Sequence, residues 1–587
     1  MKNITKLCVA VICCAVLQNC KKDNSNNGGG GGGGNTTDTT STTITPPTEP
    51  AIANTQGFFL DNWQAKTFTP PTAQTVTKPQ ARSPVTVTVD LSQELTKVSN
   101  YEYGNNANPF MGEISTVPAL MTNIDALAPN IIRFPGGSLS DMYFWNQSSQ
   151  APADAPVQLL DDNGNASAAY YWYGNSSATN TMTVDDYYSV LQQSKATGII
   201  TVNYGYARYG TGPTPVQTAA HLAADWVRYD KGRTTYWEVG NEIYGNWEAG
   251  YYINTSANQD GQPQIQDGTT YGNHFKIFAD SMRAAASEVG NTNIKIGIVI
   301  DGANDADGPS EGQVSNWNNS VFTAEANSAD FFVVHNYYTP YNANSNPATI
   351  LGTPNPGTSE MMTWIKSSAL QAGATQKPVA MDEWNIQAEG SAQEVSNVAG
   401  VHAVMVLGEA LKNQISMTSR WDLANGWDNG DDMGMFNNSS PGGDAEPNAP
   451  GWNPRPAFYY MYFFQHYIGD HLVNSTTTNS DIVSYGSSFS SGEDGVILVN
   501  KGSGAHVAVV NFRNFAQGST YYYYTLNGGT DNAPFSHKVY INGTGPSGAS
   551  GGPSNYGTIA ASSAGTSGGV IVTIPSYGAV YLVATHK

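Results

Sequence analysis

Eight short apolar runs constrain this chain more than any other feature. They are "SNYEYGNN" (99–106), "NIIRFPGG" (130–137), "GIITVNYG" (198–205), "TTYWEVGNE" (234–242), "IKIGIVID" (294–301), "FFVVHNYY" (331–338), "KPVAMDEWN" (377–385) and "SRWDLANG" (419–426). Several are followed by stretches with helical spacing, such as "TPVQTAAHLAADWVRY" (214–229) and "HFKIFADSMRAAASEV" (274–289). Strand-then-helix units build a parallel sheet with helices outside it, and eight of them close the sheet into a barrel. The expected class is therefore α/β, with a (β/α)8 barrel over residues 98–454. The carboxyl ends of the runs carry Asn105, Arg133, Asn203, Asn241, Glu242, His335, Tyr337, Glu383 and Trp421. Reactive groups of such a barrel gather at that end. Turn chemistry explains glycine and asparagine there. It does not explain two glutamates, an arginine and a tryptophan.

The flanking segments read differently. After residue 455 a last helix-like stretch gives way to short alternating strands such as "DGVILVN", "HVAVVNF" and "AVYLVATHK", separated by Gly, Ser and Asn turns. Residues 455–587 are expected to form a β-sandwich, joined by a strand at 84–97, "PVTVTVDLSQELTK". At the amino end, Lys2 and Lys6 precede an apolar core from Leu7 to Leu17, too short to span a bilayer. Residues 1–20 read as a signal peptide, and "LQNC" resembles a lipobox with Cys20 as the acylated residue, although Gln18 and Asn19 stand where small residues are preferred. Lys21 follows, not the aspartate that can retain such proteins at the inner membrane. The expected location is the outer membrane through a lipid anchor, with residues 21–83, rich in Gly, Thr and Pro, as a flexible linker; simple secretion is the alternative. Within that stretch, "GFFLDNW" (57–63) is apolar enough to pack on the folded body.

Net charge is −21 and only 12% of residues are charged. Phosphate binding needs Lys and Arg, so a nucleic-acid partner is excluded. Low charge with 33 Tyr and 12 Trp suits a neutral, hydroxyl-rich ligand, so a carbohydrate substrate is expected. All four cysteines, Cys8, Cys13, Cys14 and Cys20, lie in the leader, the histidines show no ligand spacing, and neither HExxH nor GxxxxGK[ST] occurs. No metal and no cofactor is expected. Asp428, Asp431 and Asp432 share one loop, but their spacing is no EF-hand, and a solvated acidic loop is the plainer reading.

Glu242 and Glu383 follow the fourth and seventh runs, so a barrel brings both to one cleft. Two carboxylates flanking a glycosidic bond can cleave it, one as proton donor and the other as nucleophile or as base for water. Asn241 is placed to bond the sugar hydroxyl beside the anomeric carbon. His335 and Tyr337 would tune the nucleophile, and Arg133 would hold it ionised. Aromatics around Glu242 should raise its pKa. Tyr206, Tyr209, Tyr244, Trp247, Trp317, Tyr338, Tyr341 and Trp427 are candidate platforms for stacked sugar units, core packing being the alternative for each.

These residues resemble those of clan A glycoside hydrolases, and most of all the family 51 α-L-arabinofuranosidases. "RFPGGSLSDMYFW" is similar to their "RWPGGN…YDW", covering Arg133, Pro135, Gly136, Gly137 and Trp145. "GNEIYGNW" is similar to "GNE-x-x-G-x-W", covering Asn241, Glu242, Gly245 and Trp247, and "DEWN" matches at Asp382–Asn385. Ser138 stands where asparagine usually follows "PGG", and Tyr244 where an acidic residue is common. The resemblance implies a retaining hydrolase of plant-type polysaccharide, arabinofuranosidase-like, with Glu242 as acid/base, Glu383 as nucleophile, and Arg133, Asn241, His335, Tyr337, Trp145, Tyr244, Trp247 and Trp421 around the substrate. Family 44 endoglucanases share a similar arrangement, so an endo-acting β-glycanase stays open. So does a non-catalytic glycan-binding lipoprotein, which need not keep both glutamates.

Overall fold

The computed structural model describes residues 44–587 apart from 129, 304–315, 428, 429 and 547. The expected leader with Cys20, and the linker as far as residue 43, lie outside the described residues.

Eight parallel strands close into a barrel in chain order: Gly104–Asn106, Ile131–Phe134, Thr197–Val202, Tyr236–Val239, Lys295–Val299, Phe331–Tyr337, Val379–Asn385 and Met417–Arg420. Each falls in, or overlaps, one of the eight apolar runs. Side chains of a strand alternate between its two faces, and the alternation builds the barrel in layers. Ile131, Ile199, Tyr236, Phe331, Val333, Ala380 and Met417 point inward and form one apolar cluster. Ile132, Phe134, Ile200, Val202, Trp237 and Val239 belong to the larger core shared with the helices. Two residues further along the inward face stand Arg133, Thr201, Glu238 and His335, all buried. The barrel interior therefore changes from a hydrocarbon floor to a charged layer, which underlies the site.

The floor is closed from below by the amino-terminal segment. Phe59 is 1% exposed, and its ring meets Tyr236 at 5.4 Å and Phe331 at 5.5 Å. Ala73–Thr75 pairs in parallel with Ala561–Gly565, and Leu60 and Phe68 are buried. Residues 44–83, expected as the end of a flexible linker, are thus part of the folded body. "GFFL" carries enough apolar surface to offset the entropy of ordering it.

The second correction concerns the boundary at 455. Helix Pro456–Tyr467 is the eighth barrel helix and packs on Asn397–Lys412, so the sheet region begins only at His471. Eleven strands make one hydrogen-bonded sheet there, curled over its own apolar core of Val87, Val89, Val496, Leu498, Val572 and Leu582. Val85–Lys97 lies inside this sheet, antiparallel to His471–Thr477 and parallel to His506–Arg513.

Candidate active site

Arg133 organises the charged layer. Its Nε and Nη2 donate to the two oxygens of Glu238 at 2.8 and 3.2 Å. Nη1 donates to Glu383 Oε2 at 2.8 Å and to Asn106 Oδ1 at 3.1 Å. Nη2 also donates to Asn241 Oδ1 at 2.7 Å, and Nε lies 3.5 Å from Asp382 Oδ2. The guanidinium fork is fully buried, so removing one member would leave an uncompensated charge, a cost of about 3–5 kcal/mol in such settings. Burial opposes its charge, but Glu238, Asp382 and Glu383 together hold it firmly protonated.

Strand alternation would send Asp382 and Glu383 to opposite faces, yet both reach Arg133 and His335. The register of Val379–Asn385 shifts between Met381 and Trp384, and that of its neighbour between Val334 and His335. Such a bulge re-aims a side chain, and here it turns two consecutive carboxylates inward. Asp382 Oδ1 sits 3.4 Å from His335 Nε2. Glu383 accepts from Tyr337 Oη at 2.8 Å as well as from Arg133.

Glu242 is bonded by Trp247 Nε1 at 2.9 Å, Tyr244 Oη at 3.3 Å and His335 Nδ1 at 3.0 Å. His335 Nδ1 is 3.8 Å from Glu383 Oε2, so the imidazole bridges the two glutamates. One ligand atom each from Glu242, His335 and Glu383 lie within 4.8 Å of one another.

This geometry reverses the expected direction of both pKa shifts. Burial pushes Glu242 up, but the hydrogen bond and charge of His335, then Trp247 and Arg133, outweigh it and leave the carboxyl below its ordinary value. The aromatics present their N–H and O–H groups to Glu242, not apolar faces, which is why they stabilise its anion. Burial also pushes Glu383 up; His335, Arg133 and Tyr337 pull it down, the charge of Glu242 pushes it up again, and the net direction is upward. Burial disfavours charge on His335, yet Glu383, Asp382 and Glu242 surround it and carry it well above its usual value.

The other expected residues divide. Trp421 is half-buried, and its ring covers Gly137, where an added Cβ would fall 2.4 Å from it; Gly137 also has φ +69°. Trp247 is 42% exposed at the mouth. Trp145 does not join the site: its indole stacks on Trp226 at 5.7 Å and donates to Leu222 O. The apolar helix face behind it supplied a better partner than the cleft. Tyr206, Tyr209, Trp317 and Tyr338 are buried and hydrogen-bonded within the body, so they are packing residues and not sugar platforms. Tyr341 is exposed and Trp427 half-buried. Asp428 lies outside the described residues, and Asp432 is held bidentately by Arg455 at 2.7 Å, so Asp432 is committed to an ion pair.

Glu238, His335 and Asp382 also bring ligand atoms within 4.8 Å of one another. Arg133 already fills the cation position of this group, and a metal would need His335 neutral, against the direction its neighbours impose. Sequence reading missed Glu238, Asp382 as a partner of Arg133, and the buried Glu248. The signal for Glu238 was present, because it lies two residues from the inward Tyr236.

Residues 123–332 match the family model described as "Alpha-L-arabinofuranosidase 1 domain". No curated protein sequence matches the chain. Among solved structures, the α-L-arabinofuranosidase from Thermotoga maritima superposes with TM-score 0.57 at 15% identity, over 85% of this chain and 100% of that one. A family 51 α-L-arabinofuranosidase from Bifidobacterium longum gives 0.58 at 14%, over 85% and 99%. A family 44 xyloglucanase from Paenibacillus polymyxa gives 0.51 at 14%, over 85% and 99%. The fold is that of clan A glycoside hydrolases. In this barrel, Glu242 and Glu383 stand at the ends of the fourth and seventh strands.

Proposed function

We propose that the chain is a retaining glycoside hydrolase acting on a neutral plant-type polysaccharide, with an α-L-arabinofuranoside as its first substrate. The observation that carries the reading is the Glu242–His335–Glu383 triangle within 4.8 Å. Retaining enzymes hold their two carboxyl groups about 5–5.5 Å apart, whereas inverting ones leave a wider gap for water. Glu383, fixed by Arg133 and Tyr337, attacks the anomeric carbon while the glycosidic oxygen takes a proton from Glu242. Water then enters with Glu242 as base, and the bond to Glu383 breaks. The proton that Glu242 delivers is held in the free protein on the His335 Nδ1–Glu242 Oε1 hydrogen bond of 3.0 Å. Arabinofuranoside is preferred because the matched family model is an arabinofuranosidase domain.

A second reading is endo-cleavage of a β-glycan backbone. The exposed indole of Trp247, beside Glu242, favours it, as does the likeness to a xyloglucanase. A panel of aryl glycosides, arabinan, xylan, β-glucan and xyloglucan separates them. Release of aryl alcohol from the α-L-arabinofuranoside is expected. Cleavage of xyloglucan or β-glucan with none of the arabinofuranoside would transfer the assignment to the endo reading. Silence on the whole panel, with retained polysaccharide binding, would leave a binding protein.

We also propose that Cys20 carries a lipid anchor at the outer membrane. Cys20→Ala should move the protein from the membrane fraction to the soluble fraction; wild type found free in the medium would contradict this.

A further inference from the structure

Glu248 lies outside the catalytic pair, yet it grips the residue beside Glu242. It is 2% exposed, and its Oε1 accepts from Ser138 Oγ at 2.7 Å and from Asn241 Nδ2 at 2.8 Å. Asn241 Oδ1 accepts from Arg133 Nη2 at 2.7 Å, and the Asn241 backbone N–H donates to Asp141 Oδ2 at 3.0 Å. The amide therefore has one orientation. A flip would set its NH2 against the guanidinium and its oxygen against an acceptor. An amide nitrogen carries two hydrogens, and Glu248 takes one. Ser138 sits after the second barrel strand and Glu248 after the fourth, so the grip also ties two loops at the mouth.

We propose that Glu248, braced by Ser138, is a positioning residue that aims the second Asn241 N–H at the sugar hydroxyl beside the anomeric carbon. This rests on the glycosidase reading above. A hydrogen bond to that hydroxyl strengthens as the oxocarbenium-like transition state forms, so its aim is felt in kcat. Burial, with the charges of Asp141 and Glu242, pushes the Glu248 carboxyl well above its ordinary value. A shift in that direction favours the protonated carboxyl, in which Oε1 is a carbonyl-type acceptor. Oε2 is buried without a hydrogen-bond partner. Glutamine has the same shape and can offer the same acceptor.

The test is a double-mutant cycle on the aryl glycoside that wild type cleaves best, together with a crystal structure of Glu248→Ala. Glu248→Ala should lower kcat about 10- to 100-fold, the scale of a misplaced contact near the reacting centre, with KM little changed and thermal unfolding close to wild type. The loss should vanish in an Asn241→Ala background, because the two act as one unit. Glu248→Gln should recover most of the kcat. In the crystal the Asn241 amide should have turned. If Glu248→Ala does not fold, Ser138→Ala, which removes only the brace, should show a smaller loss with the same dependence on Asn241. An additive loss, a Glu248→Gln as slow as Glu248→Ala, or an unmoved Asn241 each overturns the proposal. If wild type cleaves no glycoside, the glycosidase reading fails on its own, and the Asn241 side chain in the crystal still decides whether Glu248 holds it.

Discussion

Glu383→Ala is expected to lose turnover by about 10⁵-fold or more on every glycoside the protein cleaves, as when a covalent nucleophile is removed elsewhere. The loss should not depend on the leaving group. Arg133 and Tyr337 hold the two Glu383 oxygens at 2.8 Å each, and among the described residues no other carboxylate is held by both. Asp382 is beneath it, tied to Arg133 and His335. Mass spectrometry after incubation with a slow 2-fluoro glycoside should show an adduct on wild type and none on the variant. An adduct that persists in Glu383→Ala would remove Glu383 from the nucleophile's role.

Glu242→Ala should behave differently, and the difference identifies the acid. General acid catalysis contributes about 10²–10⁴-fold, but only where the departing oxygen needs a proton. Natural linkages should slow by that factor, while an activated aryl glycoside should still form the intermediate quickly and then stall. Azide, which needs no base, should restore turnover and give a glycosyl azide. The pH profile should be bell-shaped. Glu383 must be ionised, and burial sets its value above the ordinary carboxylate range, so activity should fall on acidification earlier than an exposed glutamate would dictate. The alkaline limb belongs to the Glu242–His335 pair and not to either residue alone. At neutral pH their shared proton rests on His335, whose value its carboxylate neighbours raise. His335→Asn removes a positive charge that holds Glu383 down, so its acid limb should move to higher pH. An unmoved limb would show that the imidazole does not set the charge of the pair.

The barrel was legible because its signal is local: each strand is an apolar run with polar residues at its end, and eight repeats leave few ways to close a sheet. Glu242 and Glu383 were legible for the same reason, since a strand end fixes where a side chain emerges. What resisted reading depended on contacts distant in sequence. Whether Trp145 faces sugar or Trp226 is decided by a helix some eighty residues away. The pKa directions failed because composition cannot say whether a tryptophan offers its face or its N–H, and Trp247 offers its N–H. Asp382 and Glu383 share one interior only through register shifts in two adjacent strands, which no alternation rule foresees. That residues 57–63 pack on the body was readable from their apolarity, but a short apolar stretch gives no hint that the barrel floor is what it closes.

Proton NMR of the first-formed sugar bears most directly on the central claim. With one oxygen of each glutamate within 4.8 Å of the other, cleavage of an aryl glycoside by wild type should first yield product with the anomeric configuration of the substrate, which then mutarotates. A first-formed product of inverted configuration would contradict the account and leave Glu383 as a base for water.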